Sequence, residues 1–344
     1  MKSKAMKRIG NLYERIIAVE NLQLADQKAR RGKLRSYGVR RHDKNREANI
    51  LALHEALKNK TFRTSEYETF IIKDPKEREI YRLPYFPDRI VHHAIMNILE
   101  PIWVSVFTTA TFSCIKNRGI NGCMQKVDKA LKDVENTRYC LKIDVKKFYP
   151  SIDHDVLKQI VRRKIKCHDT LDLLDQIIDS AAGVPIGNYL SQYFANLFLA
   201  YFDHWIKEEA GVKYYFRYAD DMVFLHKDKA FLHDLLARID AYLRDNLHLT
   251  IKANYQVFPI AKSRSDKHGR GLDFVGFVFY HEHKLIRKSI KKNFCRAAAR
   301  LNKQPNLSAK DYKQGVCSWL GWAKHSNSKH LLKTIIKPSF YGNL

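Results

Sequence analysis

Apolar positions recur along this chain with two distinct periods, and the change of period sets the order of its elements. Leu12, Ile16 and Val19 fall at intervals of four and three, and the spacing predicts a helix within residues 1–30 that ends near Gly32. A second helix is predicted from Glu47 to Lys58, with Ile50, Leu51, Leu53 and Leu57 on its apolar face. The period then shortens. Residues 67–73 alternate as a strand, Asp74-Pro75-Lys76 reads as a turn, and Arg78, Ile80 and Tyr81 lie on the returning strand. After Pro87 and Asp88, the residues Ile90, Ala94, Ile95 and Ile98 share one helical face.

Tyr139 to Asp144 alternates as a strand that ends on an acid, and Asp153 caps an amphipathic helix carrying Val156, Ile160 and Val161. A wide apolar helix is predicted from Leu190 to Glu209, lying under a sheet. Two strands, Tyr214–Tyr218 and Met222–Leu225, flank Asp220 and Asp221 at the turn between them. A helix over 231–247, a strand-like stretch Leu249–Val257, a polar loop 263–271 and a second hairpin over 271–287 follow; the remainder is basic and helical.

Charge sharpens the picture. The 344 residues carry a formal net charge of +26, which points to a polyanionic partner. Residues 1–48 hold 14 Lys and Arg against 5 Asp and Glu, and residues 284–344 hold 14 against 1. A near-neutral middle between two cationic ends suits phosphate-backbone binding, although solvated tails give the same count. No apolar run reaches the ~20 residues of a membrane span, and the basic start has no apolar signal core, so a cytoplasmic protein is expected. The six cysteines lack C-x-x-C spacing, which argues against a zinc site and leaves buried thiols as the expectation.

Two adjacent acids in an apolar hairpin are either an ordinary turn or a metal-binding tip, and the second reading needs a third carboxylate nearby. Asp144 supplies it. Three carboxylates on one sheet face repel unless cations lie among them. Oxygen-only ligands favour a hard ion, so magnesium is expected, as two ions. The element order gives an α+β fold in which those acids converge on a palm-like sheet.

These residues carry a resemblance. Tyr218-Ala219-Asp220-Asp221 resembles the central motif of reverse transcriptases, and Lys142 to Asp153, with Asp144, resembles their first catalytic motif. Gly183-Val-Pro-Ile186-Gly187 to Gln192 stands where the family has its template- and nucleotide-contacting motif, and Gly271 to Phe277, with Gly276, is similar to the primer grip. The resemblance implies a right-hand polymerase of fingers, palm and helical thumb: 1–138 as N-terminal extension and fingers, 139–283 as palm with a fingers portion around 154–182, and 284–344 as thumb.

It further implies catalytic and metal-holding roles for Asp144, Asp220 and Asp221. Nucleotide contacts fall to Arg78, Tyr149 (an aromatic gate under the sugar), Ile186, Gly187 and Gln192. Gly187 is expected to let the backbone approach the nascent base pair. Nucleic-acid contacts fall to Lys116 and Arg118 in a polar loop, to Gly276, and to Lys291, Lys292 and Arg296. Lys252 lies near a later lysine motif with imperfect spacing and receives no role. Trp319 and Trp322 belong either to core or to a duplex-tracking helix.

Ile186-Gly187 and Ser191-Gln192 replace the Gln-Gly and Ser-Pro of most bacterial members. That pattern, the Asp88-Arg89 to Ala94 segment and Ser318 to His325 are similar to reverse transcriptases of diversity-generating retroelements. The subgroup implies dNTPs, a template-repeat RNA copied into cDNA with errors opposite adenine (mutagenic retrohoming), and a small basic accessory protein as partners. The alternatives are a group II intron-type or other bacterial reverse transcriptase, and a non-catalytic RNA-binding scaffold.

Overall fold

A computed structural model describes residues 8–73 and 77–338 of the protein. The expected turn at 74–76, the first seven residues of the amino-terminal helix and residues 339–344 lie outside the described residues. The first helical stretch is divided at Ala18 into α1 (Tyr13–Ile17) and α2 (Val19–Ala29), because Ala18 takes an extended ψ of 136°. Helices α3 (Tyr37–Asp43) and α4 (Arg46–Lys58) follow, then the hairpin β1 (Glu68–Lys73) and β2 (Glu77–Arg82), and helix α5 (Ile90–Val104).

The chain continues with α6 (Gly119–Leu131), β3 (Tyr139–Asp144), α7 (His154–Arg162), α8 (His168–Ile178), α9 (Tyr189–Phe198) and α10 (Ala200–His204). It continues with β4 (Tyr214–Tyr218), β5 (Asp221–His226), α11 (Lys229–Leu247) and β6 (Gln256–Pro259). The chain then runs through β7 (Leu272–Phe274), β8 (Phe277–Phe279) and β9 (Lys284–Ile286) into α12 (Lys288–Asn302), α13 (Ala309–Lys324) and α14 (Lys329–Ile335).

Strands β4, β5, β3 and β6 form one sheet in that order, and every pairing in it is antiparallel. Side chains alternate across a pleated strand. Leu141, Ile143, Met222 and Phe224 therefore enter one core with the helices, while Cys140, Val223, Leu225 and Phe258 enter a second core shared with β7 and β8. A third cluster, around Phe294, Ala298, Leu301, Tyr312 and Val316, holds the carboxy-terminal helices together.

Several expectations change in the structure. The helix predicted over 190–209 is interrupted at Leu199, whose φ of −95° and ψ of 0° end α9. Of the strand-like stretch 249–257, only Gln256 onward pairs in a ladder; Ile251 makes a single bridge to Val145. The second hairpin is a three-stranded sheet in the order β7-β8-β9. The thiols are not uniformly buried: Cys123 and Cys140 are, whereas Cys114 and Cys317 are exposed. Trp319 stacks on Phe294 with ring centroids 6.0 Å apart, and Trp322 lies against Phe277 at 5.1 Å. Both indoles are thus half-buried packing groups. No helix among the described residues is long and apolar enough to cross a membrane.

Candidate active site

Antiparallel register sets the site. Asp144, the last residue of β3, faces Asp221, the first residue of β5, and Tyr218 faces Asp221 across the hairpin. Directly opposed residues point to the same face. The turn between β4 and β5 is only Ala219 and Asp220, and Ala219 has a φ of 54°, a region non-glycine residues seldom adopt. The Arg217 guanidinium holds it there, donating from Nη1 to the Ala219 carbonyl at 3.0 Å.

Burial, with the neighbouring Asp144 carboxyl and its charge, pushes Asp220 up to about 7. Burial pushes Asp221 up to about 6, against the pull of Lys142, whose Nζ lies 3.3 Å from Asp221 Oδ2. Lys252 is bound twice to the same acid: its backbone N donates to the Asp144 carbonyl at 2.9 Å and its ammonium pairs with Asp144 Oδ2. One oxygen of Asp144 and one of Asp221 remain buried without a partner.

The expected three-acid cage is therefore not closed. Among the described residues no group of three or more His, Cys, Asp and Glu is gathered tightly enough to hold a metal ion. Lys252 and Lys142 each occupy one oxygen of the acids that such a cage would use.

Tyr149 follows Asp144 by five residues and is half-buried beside Phe148, at a tilt of 65°. Burial pushes its phenol up to about 12; Cys114 and Asp220 add to that, and Arg217 and Arg78 oppose it. Arg78 is exposed on β2, opposite Ile72. The 183–187 loop joins the two regions. Val184 N donates to the Tyr149 carbonyl at 2.9 Å, and Tyr81 N donates to the Ile186 carbonyl at 2.8 Å.

That joint gives Gly187 a part in packing. Its φ is +122°, and a Cβ there would stand 2.7 Å from the Tyr81 carbonyl oxygen, so the missing side chain makes room for β2. Ile186 is half-buried, and Gln192 is exposed on α9.

Arg118 and Gly276, two of the expected nucleic-acid contacts, also make contacts within the fold. Arg118 donates to the carbonyls of Thr108 and Thr111 at 2.6 and 3.0 Å, closing its own loop. Gly276 has a φ of +86°, and a Cβ there would meet the Trp322 ring at 2.3 Å. Lys116 is exposed, as are Lys291, Lys292 and Arg296 on α12, while Phe294, Ala297 and Ala298 face its core.

Sequence reasoning missed Arg217, Lys142 and the role of Lys252. A lone Arg inside the apolar strand β4 was the available signal for the first, because a buried cation requires an anionic partner. That partner is Asp203. Pairing of Lys252 with Asp144 joins residues 108 positions apart, and no local period encodes it.

A sheet whose hairpin turn and central strand bring aspartates together, with a β-hairpin joined to the palm by a glycine loop, is the right-hand reverse-transcriptase fold. The chain belongs to the reverse transcriptase (RNA-dependent DNA polymerase) family, whose pattern it matches over residues 72–259. It is similar to Protein YkfC of Escherichia coli (strain K12), 28% identical over 139 residues, covering 37% of this chain and 36% of that protein. It is similar also to the group II intron-encoded protein LtrA of Lactococcus lactis subsp. cremoris, 22% identical over 173 residues, covering 46% of this chain and 28% of that one. The chain thus spans about a third of the length of the curated relatives it matches. A telomerase structure from Candida tropicalis, truncated from its C-terminal domain, shares the fold with a TM-score of 0.50 and 13% identity, over 65% of this chain and 55% of that one.

Proposed function

We propose that this chain catalyses RNA-templated DNA synthesis in which a primer 3′-hydroxyl attacks the α-phosphate of a dNTP and pyrophosphate leaves. One observation carries the reading: Asp144 faces Asp221 in register across the sheet from the turn that holds Asp220, with one oxygen of Asp144 and one of Asp221 buried and unpartnered. Carboxylate oxygens without a partner suit a hard divalent cation. Asp144, Asp220 and Asp221 are the residues that would hold magnesium. Bound there, magnesium supplies the positive charge that activates a hydroxyl and stabilises a leaving phosphate oxygen.

The chain's own residues do the positioning. Lys252 and Lys142 hold one oxygen each of Asp144 and Asp221, fixing how those carboxylates point. Arg78 reaches from the fingers hairpin toward the triphosphate, where fixed positive charge favours phosphoryl transfer. Tyr149 sits below the sugar, and its ring excludes a 2′-hydroxyl. Thumb residues Lys291, Lys292 and Arg296 bind phosphates without reading sequence. We take fingers at 1–138, palm at 139–283 and thumb at 284–344; fingers and palm share one apolar cluster, and the thumb helices gather around Phe294 and Tyr312.

Within the family we assign the chain to diversity-generating retroelements, copying a template-repeat RNA with errors opposite adenine beside a small basic accessory protein. Ile186 supports this, since a half-buried aliphatic side chain offers a base pair shape but no hydrogen bond. The similarity to LtrA favours a second reading, a group II intron-type enzyme.

Primer extension on RNA tests both levels. Asp220→Asn is expected to abolish extension while primer-template binding survives; continued synthesis removes the site assignment, and a wild-type chain that binds but never extends points to a scaffold. Ile186→Gln is expected to lower misincorporation opposite template adenine; an unchanged error spectrum removes the subgroup assignment.

A further inference from the structure

At the outer edge of the β4-β5-β3-β6 sheet, β6 and the loop after it line a shallow cavity, open to solvent, of about 540 Å³ that contains none of the site residues described above. Its wall is built closely. Gly269 lies against the edge strand, where a Cβ would stand 2.8 Å from Ala261 N and 2.9 Å from the Pro259 carbonyl. Arg270 N donates to that same carbonyl at 3.1 Å. The Arg270 guanidinium lies 3.9 Å from the centroid of the Phe258 ring and donates to Gln256 Oε1 at 2.7 Å, so its plane is fixed over the cavity.

The loop also uses up its own negative charge. Asp266, the sole acid of residues 261–271, accepts from the backbone N–H groups of Lys262 and His268 at 3.0 and 2.9 Å. Lys267, His268 and Arg270, which line the cavity, are exposed, as are Lys262 and Arg264 on the same loop. Tyr255, which also lines the cavity, is 46% exposed, so its ring faces water.

We propose that this cavity binds a single strand of nucleic acid. An exposed ring and a fixed guanidinium plane offer two stacking surfaces for unpaired bases, and the surrounding cations meet the phosphates. A base-paired duplex has no free base face to offer Tyr255. An acidic peptide would satisfy the cations but leave both planar surfaces without a partner. The single strand enters as a segment separate from the duplex in the polymerase cleft. The proposal rests on the chain being a nucleic-acid enzyme, yet it concerns a different face of the palm.

The test uses the full chain with a short thiouridine-substituted RNA and its thymidine-analogue DNA counterpart, cross-linked by light with a primer-template duplex carrying a one-nucleotide template overhang in excess. Adducts mapped by mass spectrometry are expected on Tyr255 or within 255–270, and the two probes show whether RNA and DNA are both taken. Tyr255→Ala with Lys267→Ala is expected to weaken binding of the single strand by about fivefold or more, the loss of one stacked base. Single-nucleotide extension on that primer-template should be unchanged by these substitutions. Adducts confined to the thumb and fingers, or displacement of the strand from Tyr255 by the duplex, overturn the proposal. So does protection of 255–270 by polyglutamate with no adduct from either oligonucleotide. Failure of wild-type extension, by contrast, bears on the catalytic reading alone.

Discussion

Arg217 and Asp203 form a fully buried ion pair directly beneath the turn that carries Asp220 and Asp221. The guanidinium reaches Asp203 from Nε at 2.7 Å and from Nη2 at 2.6 Å. Tyr215 and Thr111 hydroxyls donate to the same carboxylate at 2.6 and 2.7 Å. With its charge and both oxygens satisfied, Asp203 fixes Arg217, and Arg217 fixes the Ala219 carbonyl. The chemistry at the tip thus depends on a network packed against α9 and α10.

Removing one partner of such a pair leaves a charge stranded without water, which costs about 3–5 kcal/mol. Arg217→Met is expected to lower stability by that amount in urea denaturation. Arg217→Lys retains the charge but loses the fork that spans Asp203 and Ala219, so it should fold and still lose most of its extension rate. A Lys variant with wild-type kcat would separate the network from the turn.

Gly187 predicts a different signature. Alanine there must take a φ of +122° and push a Cβ to 2.7 Å from the Tyr81 carbonyl. Strain of that kind costs about 1–3 kcal/mol, and the contact that yields is the join between the 183–187 loop and β2. Gly187→Ala is expected to raise KM for dNTPs more than it lowers thermal stability, because Arg78 on β2 loses its seat. Equal KM values in the two proteins would show that the join does not set the position of the fingers.

Gly276 and Trp322 form a testable couple between the palm and the carboxy-terminal helices. Gly276→Ala should destabilise by forcing the indole away, and Trp322→Ala should destabilise by opening a gap. The double variant should cost less than the two single effects combined, since the alanine Cβ then occupies vacated space. Coupling between touching residues runs at about 0.5–3 kcal/mol. Additive effects in a double-mutant cycle would contradict the contact.

Much of the frame was legible because it is written in local periods. The strand Tyr139–Asp144, the hairpin around Asp220 and the Asp153 cap, which accepts from Val156 N at 3.0 Å, all follow from side-chain alternation or capping chemistry. The unread parts are long-range. Gly187 and Gly276 look like permissive glycines in sequence, and only the fold reveals Tyr81 and Trp322 against them. Leu199 lies within an unbroken apolar pattern, yet the backbone turns there, because apolar period reports burial and not helical continuity.

A last prediction concerns pH. His92 and His93 on α5 are buried, and neither Nε2 has a hydrogen-bond partner. Burial pushes His92 down to about 3 and His93 down to about 4. A histidine with a lowered folded pKa costs nothing above its unfolded value near 6.5, and below it the unfolded chain binds the proton that the folded chain refuses. Each therefore removes about 1.4 kcal/mol of stability per pH unit as pH falls from 6.5 toward its folded value. Asp220 and Asp221, with raised values, act in the opposite sense over part of that window, so the wild-type profile alone is ambiguous. The comparison that isolates the histidines is a double variant, His92→Asn with His93→Asn, denatured beside the wild type at neutral and mildly acidic pH. Both proteins carry the same aspartates, which cancel in the difference. The variant is expected to lose stability at neutral pH through altered packing but to recover relative to wild type as the solution is acidified. A difference that stays constant with pH would mean that these imidazoles accept protons in the folded state.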